Sequence, residues 1–416
     1  MTGAFVLRGV RALDPSGSFG EPSDVAVDGG AIVAAPPPGA RDVDAAGLWL
    51  MPGVFDCHVH LGMSSTDTME NLRTPLSLRT LQTARNALST LRAGVTSVRD
   101  AGGVDAGVRT ALERGLVDGP ELQVSIVMLS QTGGHADGHL PGCPAAEIAV
   151  EDFLPAAPDR PPFLVDGADA MRRTVRATLR AGADWIKVCT SGGVFGGTEA
   201  AETAQLSVEE VAVAVWEAGR RGRGVMAHAV GRDGIAVALE AGVGSIEHGI
   251  GLDEEQARAM ARAGTFLVPT LTIYRKVIDM VAAAPEAFPA GLRAAAADID
   301  ARLGECVALA WAHGVPVALG SDFADAADHG ANLAEMYHLH RAGLPVEAAL
   351  LAATAGGARL CGVADRVGAL AVGQRFDALL LDDDPGDLSC FLEPGAVTGV
   401  FRAGVPVVAH ERLAAG

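Results

Sequence analysis

The sequence predicts an α/β fold, a (β/α)8 barrel with a small β domain built from both chain ends, on three observations. A helix–glycine–strand unit recurs through the middle of the chain, short strands cluster at both termini, and chemically active polar residues stand at the same end of successive strand candidates.

The repeat is read directly from the residues. Leu91-Arg92-Ala93-Gly94 precedes Val95–Val98, and Leu179-Arg180-Ala181-Gly182 precedes Trp185–Val188. Leu239-Glu240-Ala241-Gly242 precedes Val243–Ile246, Ala261-Arg262-Ala263-Gly264 precedes Phe266–Val268, and Trp311-Ala312-His313-Gly314 precedes Val315–Leu319. Each glycine supplies the left-handed cap that ends a helix. Ser207-Val208-Glu209-Glu210 reads as a capping box opening another helix. With Val54–Val59, Glu121–Leu129 and Gly224–Ala227, eight strand candidates alternate with helices, which implies parallel strands joined by crossovers. A doubly wound open sheet is the alternative, but no GxGxxG or GxxxxGK follows a strand.

At the N-terminus, Ala4–Val10, Asp24–Val27 and Ala31–Ala34 read as strands, with Gly29-Gly30 as a tight turn. At the other end Asp377–Leu381, Val397–Phe401 and Gly404–Val408 read the same way, and the two groups are expected to pair. The chain therefore divides into an N-terminal β part (1–51), a barrel (52–362) and a C-terminal β part (363–416).

With 416 residues, 49% hydrophobic and 20% charged, the chain has material for a large core. A net charge of −19 argues against nucleic-acid and anionic-membrane partners. The six cysteines form no CxxC pair, so neither a disulfide framework nor a thiolate zinc site is indicated. The start of the chain lacks a signal-peptide pattern and no apolar run approaches the ~18 residues of a membrane span, so a cytoplasmic setting is expected.

The chemistry gathers at the strand ends. His58-Val59-His60 places two imidazoles on one face of a strand, because alternate side chains share a face. Further strand candidates end on Arg99-Asp100, Gln131 to His139, Lys187, His228, His248, Thr270 and Asp322. Any one of these alone is more often structural. Four histidines, a strand-embedded lysine and an aspartate at equivalent places point to a metal site. Lys187 lies between Ile186 and Val188, where burial favours its neutral amine.

These residues, with Met51-Pro52-Gly53-Val54-Phe55-Asp56, Gly94–Asp100, Ser191-Gly192-Gly193-Val194, Ile246-Glu247-His248-Gly249 and Gly320-Ser321-Asp322, resemble the amidohydrolase superfamily in its binuclear form. The likeness is greatest to the imidazolonepropionase-related branch of Xaa-Pro dipeptidases, ochratoxin-type amidases and phenylurea hydrolases. The resemblance implies a split β-sandwich beside the barrel. It also implies two divalent transition metals, zinc favoured, with His58, His60 and Asp322 on one, His228 and His248 on the other, and Lys187, carboxylated by CO2, as bridge. Two cations roughly 3.5–4 Å apart would acidify a bridging water, whose hydroxide attacks an amide or peptide-like bond. Asp322 would take the proton and pass it to the leaving amine.

For the substrate, the resemblance favours His135 on a carbonyl oxygen, with His139, Gly193, Val194, Val230, Tyr274 and His329 as candidate contacts; His329 reads more readily as an exposed loop residue, and Tyr274 as lining the entrance. Arg99 is open between a substrate carboxylate and a structural pairing with Asp100 or a helix end. Val230 stands where dipeptidases of this type often carry tyrosine, which raises N-acyl amino acids or carbamate and urea substrates against Xaa-Pro dipeptides. Rival readings are a cyclic amidase, deaminase or lactonase on the same scaffold, or a non-catalytic homologue. A small-molecule substrate and assembly into a homo-oligomer are expected.

Overall fold

The computed structural model describes residues 3–138, 159–193, 201–393 and 395–414. The N-terminal segment forms β1 (Phe5–Ala12), β2 (Ser23–Asp28), β3 (Ala31–Val33), β4 (Arg41–Asp44) and β5 (Trp49–Pro52). The middle contributes β6 (Val54–Val59), β7 (Val95–Asp100), β8 (Glu121–Val124), β9 (Met128–Leu129) and β10 (Trp185–Cys189). Then come β11 (Gly224–Ala229), β12 (Ser245–His248) and β13 (Phe266–Val268). The chain closes with β14 (Ala378–Leu381), β15 (Val397–Arg402) and β16 (Val405–Val408).

Strands from both chain ends share one eight-stranded sheet in the order β16-β15-β14-β5-β1-β2-β3, with β4 beside β1. The join is antiparallel, Ala378 opposite Pro52 and Leu381 opposite Trp49. Alternation decides which core each residue enters. Leu50, Ala378, Leu380 and Phe401 pack with Phe5 and Phe376 in the sheet's own core, whereas Met51, Leu379, Leu381 and Val400 belong to the large core of the α/β region. Burying each such leucine contributes about 1.5–3 kcal/mol, and it seats the sheet on the rest of the molecule. The expected sandwich is thus one continuous sheet whose two halves enclose a common core.

The middle region is α/β, with its sheet strands all paired in parallel. They group as β6-β7-β8 and β9-β10-β11-β12-β13 rather than as one closed eight-stranded sheet. Two local causes are visible. The expected strand 121–129 is interrupted at Ile126, whose φ is 69°. The expected strand 315–319 keeps only a bridge from Val317 to Leu267, because Pro316 offers no N–H to a ladder. That segment still lies between β13 and β6, since Ala318 N donates to Leu267 O at 3.0 Å and Cys57 N to Leu319 O at 2.8 Å. The strand expected at 243–246 begins two residues later and ends on His248.

Amphipathic helices cover these strands, and their ends follow the sequence signals. Gly242 and Gly264 adopt left-handed φ values of 84° and 72° as C-caps. Ser207 and Glu210 form the expected reciprocal capping box. No helix among the described residues is long and apolar enough to cross a membrane.

Candidate metal centre

β6 delivers His58 and His60 to one spot, as the spacing of two predicts. Their rings are buried and 5.6 Å apart between centroids. His58 Nδ1 donates to Glu247 Oε2 at 2.7 Å, and His60 Nδ1 donates to the Gly102 carbonyl at 2.9 Å. Both partners can only accept, so each neutral ring turns an Nε2 lone pair inward. Those lone pairs meet Asp322 Oδ1 at 3.3 Å and 3.2 Å. One ligand atom from each of His58, His60 and Asp322 falls within 4.8 Å of the others. Three acceptors converging in a buried place need a positive species among them, either an extra proton or a cation. Burial opposes charge on His60, but the hydrogen bond and charge of Asp322 overcome it and raise its pKa. A divalent cation would compete for the same lone pairs.

His228 from β11 and His248 from β12 stand beside this group. Ring centroids are 4.6 Å apart between His228 and His248, and 5.0 Å between His58 and His248. His228 Nε2 donates to Gly192 O at 3.1 Å, leaving Nδ1 as its free lone pair. His248 Nδ1 lies 2.7 Å from Thr270 Oγ1. Burial, reinforced by neighbouring imidazoles (His135 for His228, His58 for His248), pushes both pKa values well below the ordinary histidine value. Both rings are neutral at physiological pH, the form that binds metals.

Lys187, from β10, is buried, with Nζ 3.2 Å from His58 Nε2. An outward-facing, solvent-reaching lysine is therefore excluded. Burial lowers its pKa, which favours the amine.

A second layer holds the ligand-type residues in place. Glu247 accepts from Arg99 Nη2 at 2.9 Å and 3.1 Å and from the Ser245 hydroxyl. Arg99 also donates to Cys57 O at 2.6 Å and lies 4.6 Å over the Trp185 ring. Asp56 accepts from His58 N and Ser321 N, both at 3.1 Å, and from Ser321 Oγ at 2.6 Å, tying β6 to the turn that carries Asp322. Six non-glycine residues among those described have positive φ, and three of them, His248 (71°), Thr270 (52°) and Asp322 (57°), are at this site. Such backbone costs of order 1–3 kcal/mol per residue and collects at functional sites.

Several expectations change. Arg99 neither faces a substrate carboxylate nor pairs with Asp100: it is fully buried and its partner is Glu247, because the strand turns the guanidinium into the interior. His329, in the segment that follows Asp322, is not an exposed loop residue; it is 6% exposed. Tyr274 is not at an entrance but buried at 4% exposure, edge-on to His248 at 5.8 Å. Val230 is buried with Ile250 and Tyr274, its N–H donating to Ser191 Oγ at 2.9 Å. His135 stacks on His228 at 3.9 Å and 11°. A side chain at Gly193 would meet that ring at 2.5 Å, so glycine there lets the imidazole lie flat. His139 and Val194 lie outside the described residues. Glu247 is legible in the sequence only as part of a motif; its signal is a carboxylate set between Ile246 and His248 in a buried strand.

The sequence profile of the amidohydrolase family matches residues 49–407. Ochratoxinase of Aspergillus niger is 34% identical over 371 residues, covering 85% of this chain and 75% of that protein. Imidazolonepropionase of Mycolicibacterium smegmatis is 27% identical over 395 residues, 91% of this chain and 85% of the other. Among solved structures, a prolidase complexed with N-methylphosphonate-L-proline superposes with a TM-score of 0.87 at 32% identity, covering 97% of this chain and 99% of that one.

Proposed function

The chain belongs to the amidohydrolase family and is a hydrolase acting on C–N bonds, and on that premise we propose that it cleaves an amide or peptide-like bond at a binuclear metal centre. The parallel strands and the 315–319 segment would form the (β/α)8 barrel of residues 52–362, with 1–51 and 363–416 as its β domain. The observation that carries the reading is the convergence of His58 Nε2, His60 Nε2 and Asp322 Oδ1, with Lys187 Nζ 3.2 Å from the first.

His58, His60 and Asp322 would hold one cation and His228 and His248 the second. Lys187 would contribute as a carbamate: its amine nitrogen would add to CO2 and release a proton, converting a costly buried base into an anionic oxygen donor. Imidazole and carboxylate donors suit zinc. When bound, the cations supply Lewis acidity, acidifying water and polarising the scissile carbonyl. Asp322 moves the proton. Burial alone would raise its pKa, but His58 and His60 hold it well below the usual carboxylate range. It is therefore a base at neutral pH and, once protonated, delivers that proton to the leaving nitrogen. The stacking of His135 on His228 supports its assignment as the group that contacts the carbonyl oxygen.

The wall beside His248 is largely apolar, with Val230 and Ile250 packed against the ring of Tyr274. It supports an N-acyl amino acid with an apolar group there over a dipeptide that needs a donor from position 230. Ochratoxinase and prolidase relatives agree with an amide or X-Pro bond as target.

Elemental mass spectrometry on protein grown with bicarbonate tests the centre. About two transition metals per chain in the wild type, falling sharply in Lys187→Ala, is expected; one metal, unchanged by the substitution, would overturn the binuclear reading. A panel of N-acyl amino acids and Xaa-Pro dipeptides then tests the substrate.

A further inference from the structure

The helix Leu271–Ala283 begins at Thr270, yet Thr270 makes no cap for it. A threonine at that position ordinarily turns its hydroxyl onto the N–H groups of the first turn. Here Thr270 Oγ1 is 2.7 Å from His248 Nδ1 instead. The first-turn donors go to a residue more than sixty positions away. Glu335 accepts from Leu271 N at 2.8 Å, from Thr272 N at 2.7 Å, and from the Thr272 hydroxyl.

Glu335 is fully buried. Desolvating a carboxyl group is a costly way to cap a helix, and Thr270, whose left-handed backbone (φ 52°) is not that of an ordinary capping residue, leaves the first-turn donors to it. The expense makes sense if it lets Thr270 keep that conformation, with its hydroxyl on another task, while the helix stays capped. That task is to fix the tautomer and rotation of the His248 ring, as outer hydrogen-bond partners do for metal-binding imidazoles. The same turn reaches the other half of the centre. Asn332, three residues before Glu335 and fully buried, donates from Nδ2 to Asp56 Oδ2 at 2.7 Å and to Ser321 Oγ at 3.3 Å. Asp56 in turn holds the backbone N–H of His58.

We propose that Glu335 is a positioning residue for His248, acting as a substitute helix cap that frees the Thr270 hydroxyl to orient the imidazole, while Asn332 on the same turn braces the His58 and Asp322 side. The assignment rests on the reading of His248 as a metal ligand given above. It implies that the relative placement of the two halves is set by one turn, 332–335, that contributes none of the proposed metal ligands.

The test is retention of cobalt(II) by the loaded protein against a chelator, followed by absorption, beside thermal unfolding. Glu335→Ala and Thr270→Val are each expected to weaken retention of one of the two ions by about 10–100-fold, the range for outer partners of metal ligands. Thr270→Ser, which keeps the hydroxyl, and Glu335→Gln, which keeps an acceptor for Leu271 N–H, should each recover most of the loss. Ser207→Ala removes a comparable cap from a remote helix and should lower the melting temperature with retention unchanged. If Glu335→Ala and Thr270→Val lower the melting temperature as Ser207→Ala does yet hold both ions like the wild type, Glu335 is only a structural cap and the proposal fails. Should Glu335→Ala not fold, Thr270→Val alone decides. A wild type that binds no cobalt overturns the metal reading and this inference together; a wild type with two ions and unaffected variants overturns only the inference.

Discussion

The Glu247 carboxylate accepts a 2.7 Å hydrogen bond from His58 Nδ1 across 189 residues of sequence, joining β12 to β6 through the interior. This bond fixes which nitrogen of His58 faces Asp322 and Lys187. Glu247 is itself fixed by Arg99, whose guanidinium is wedged between Cys57 O, Ser245 and the Trp185 ring. A buried cation, a buried carboxylate and an imidazole thus form one chain leading to the candidate centre.

That chain gives a first prediction. Burial alone would raise the Glu247 pKa, but Arg99 holds it far below the usual carboxylate range, so the pair is ionised. Glu247→Ala strands the Arg99 charge, and losing one partner of a buried pair costs about 3–5 kcal/mol. Urea unfolding of the metal-free protein should show that loss. The double variant Glu247→Gln/Arg99→Met should lose less than Glu247→Ala, because no uncompensated charge remains; a double variant less stable than the single would contradict this account.

Gly193 offers a second prediction with a different signature. Its added Cβ would fall 2.5 Å from the His135 ring, which must then leave its stack on His228. The backbone at Gly193 does not have positive φ, so alanine brings crowding rather than backbone strain. Gly193→Ala is expected to lower kcat toward the level of His135→Ala, about 10²-fold if His135 is a carbonyl-oxygen donor. Melting temperature should change little. Steady-state kinetics on both variants checks whether the two losses coincide.

Asp322 is the proton carrier in the proposed reaction, and Asp322→Asn keeps its shape while removing the base. A drop in kcat of about 10²–10⁴-fold is expected, the range for a lost general acid–base group. The amide keeps one oxygen near His58 and His60, so metal content should fall less steeply than activity. Parallel elemental analysis and kinetics separate the two; equal losses would mean that Asp322 serves only to hold a cation.

What the sequence revealed and what it hid follow from the range of the interactions. His58 and His60 were legible because a strand's period puts residues two apart on one face. Lys187 was legible because its neighbours are apolar, so its burial followed from local composition. For Arg99 the sequence left a substrate carboxylate, Asp100 and a helix end open, and none is its partner, because Glu247 lies 148 residues on. Asp100 instead accepts from Leu61 N and Gly102 N, holding the loop after β6. His329 sits in a run of Asp, Ala and Gly that reads as solvated loop, and only tertiary packing buries it. The eighth strand was correct in place but not in regularity, since Pro316 removes a ladder donor. Glu335 left no trace at all: nothing local marks a glutamate in the helix Ala334–Arg341 as the cap of another helix.

Glu335 also carries a pH signature. Burial pushes its pKa up to about 8, against the hydrogen bonds from Thr272 and Leu271, and the nearby Asp56 adds to the rise. A carboxyl whose folded pKa exceeds the unfolded value of about 4.3 binds its proton more tightly in the native state. The native state then holds more protons than the unfolded chain between those two values, so stability falls as pH rises through that window. It is fully present below pH ~4 and lost by the time pH passes ~8. Glu335→Gln resembles the protonated form and cannot ionise, so it removes this contribution to the slope. Urea midpoints of the metal-free wild type should therefore decline more steeply from pH 5 to 8 than those of Glu335→Gln. Since Asp100, raised to about 6 by burial, is present in both proteins, its contribution cancels in the comparison. Parallel curves would show that Glu335 is already ionised throughout that range, and that its three donors, not its proton, keep it in the core.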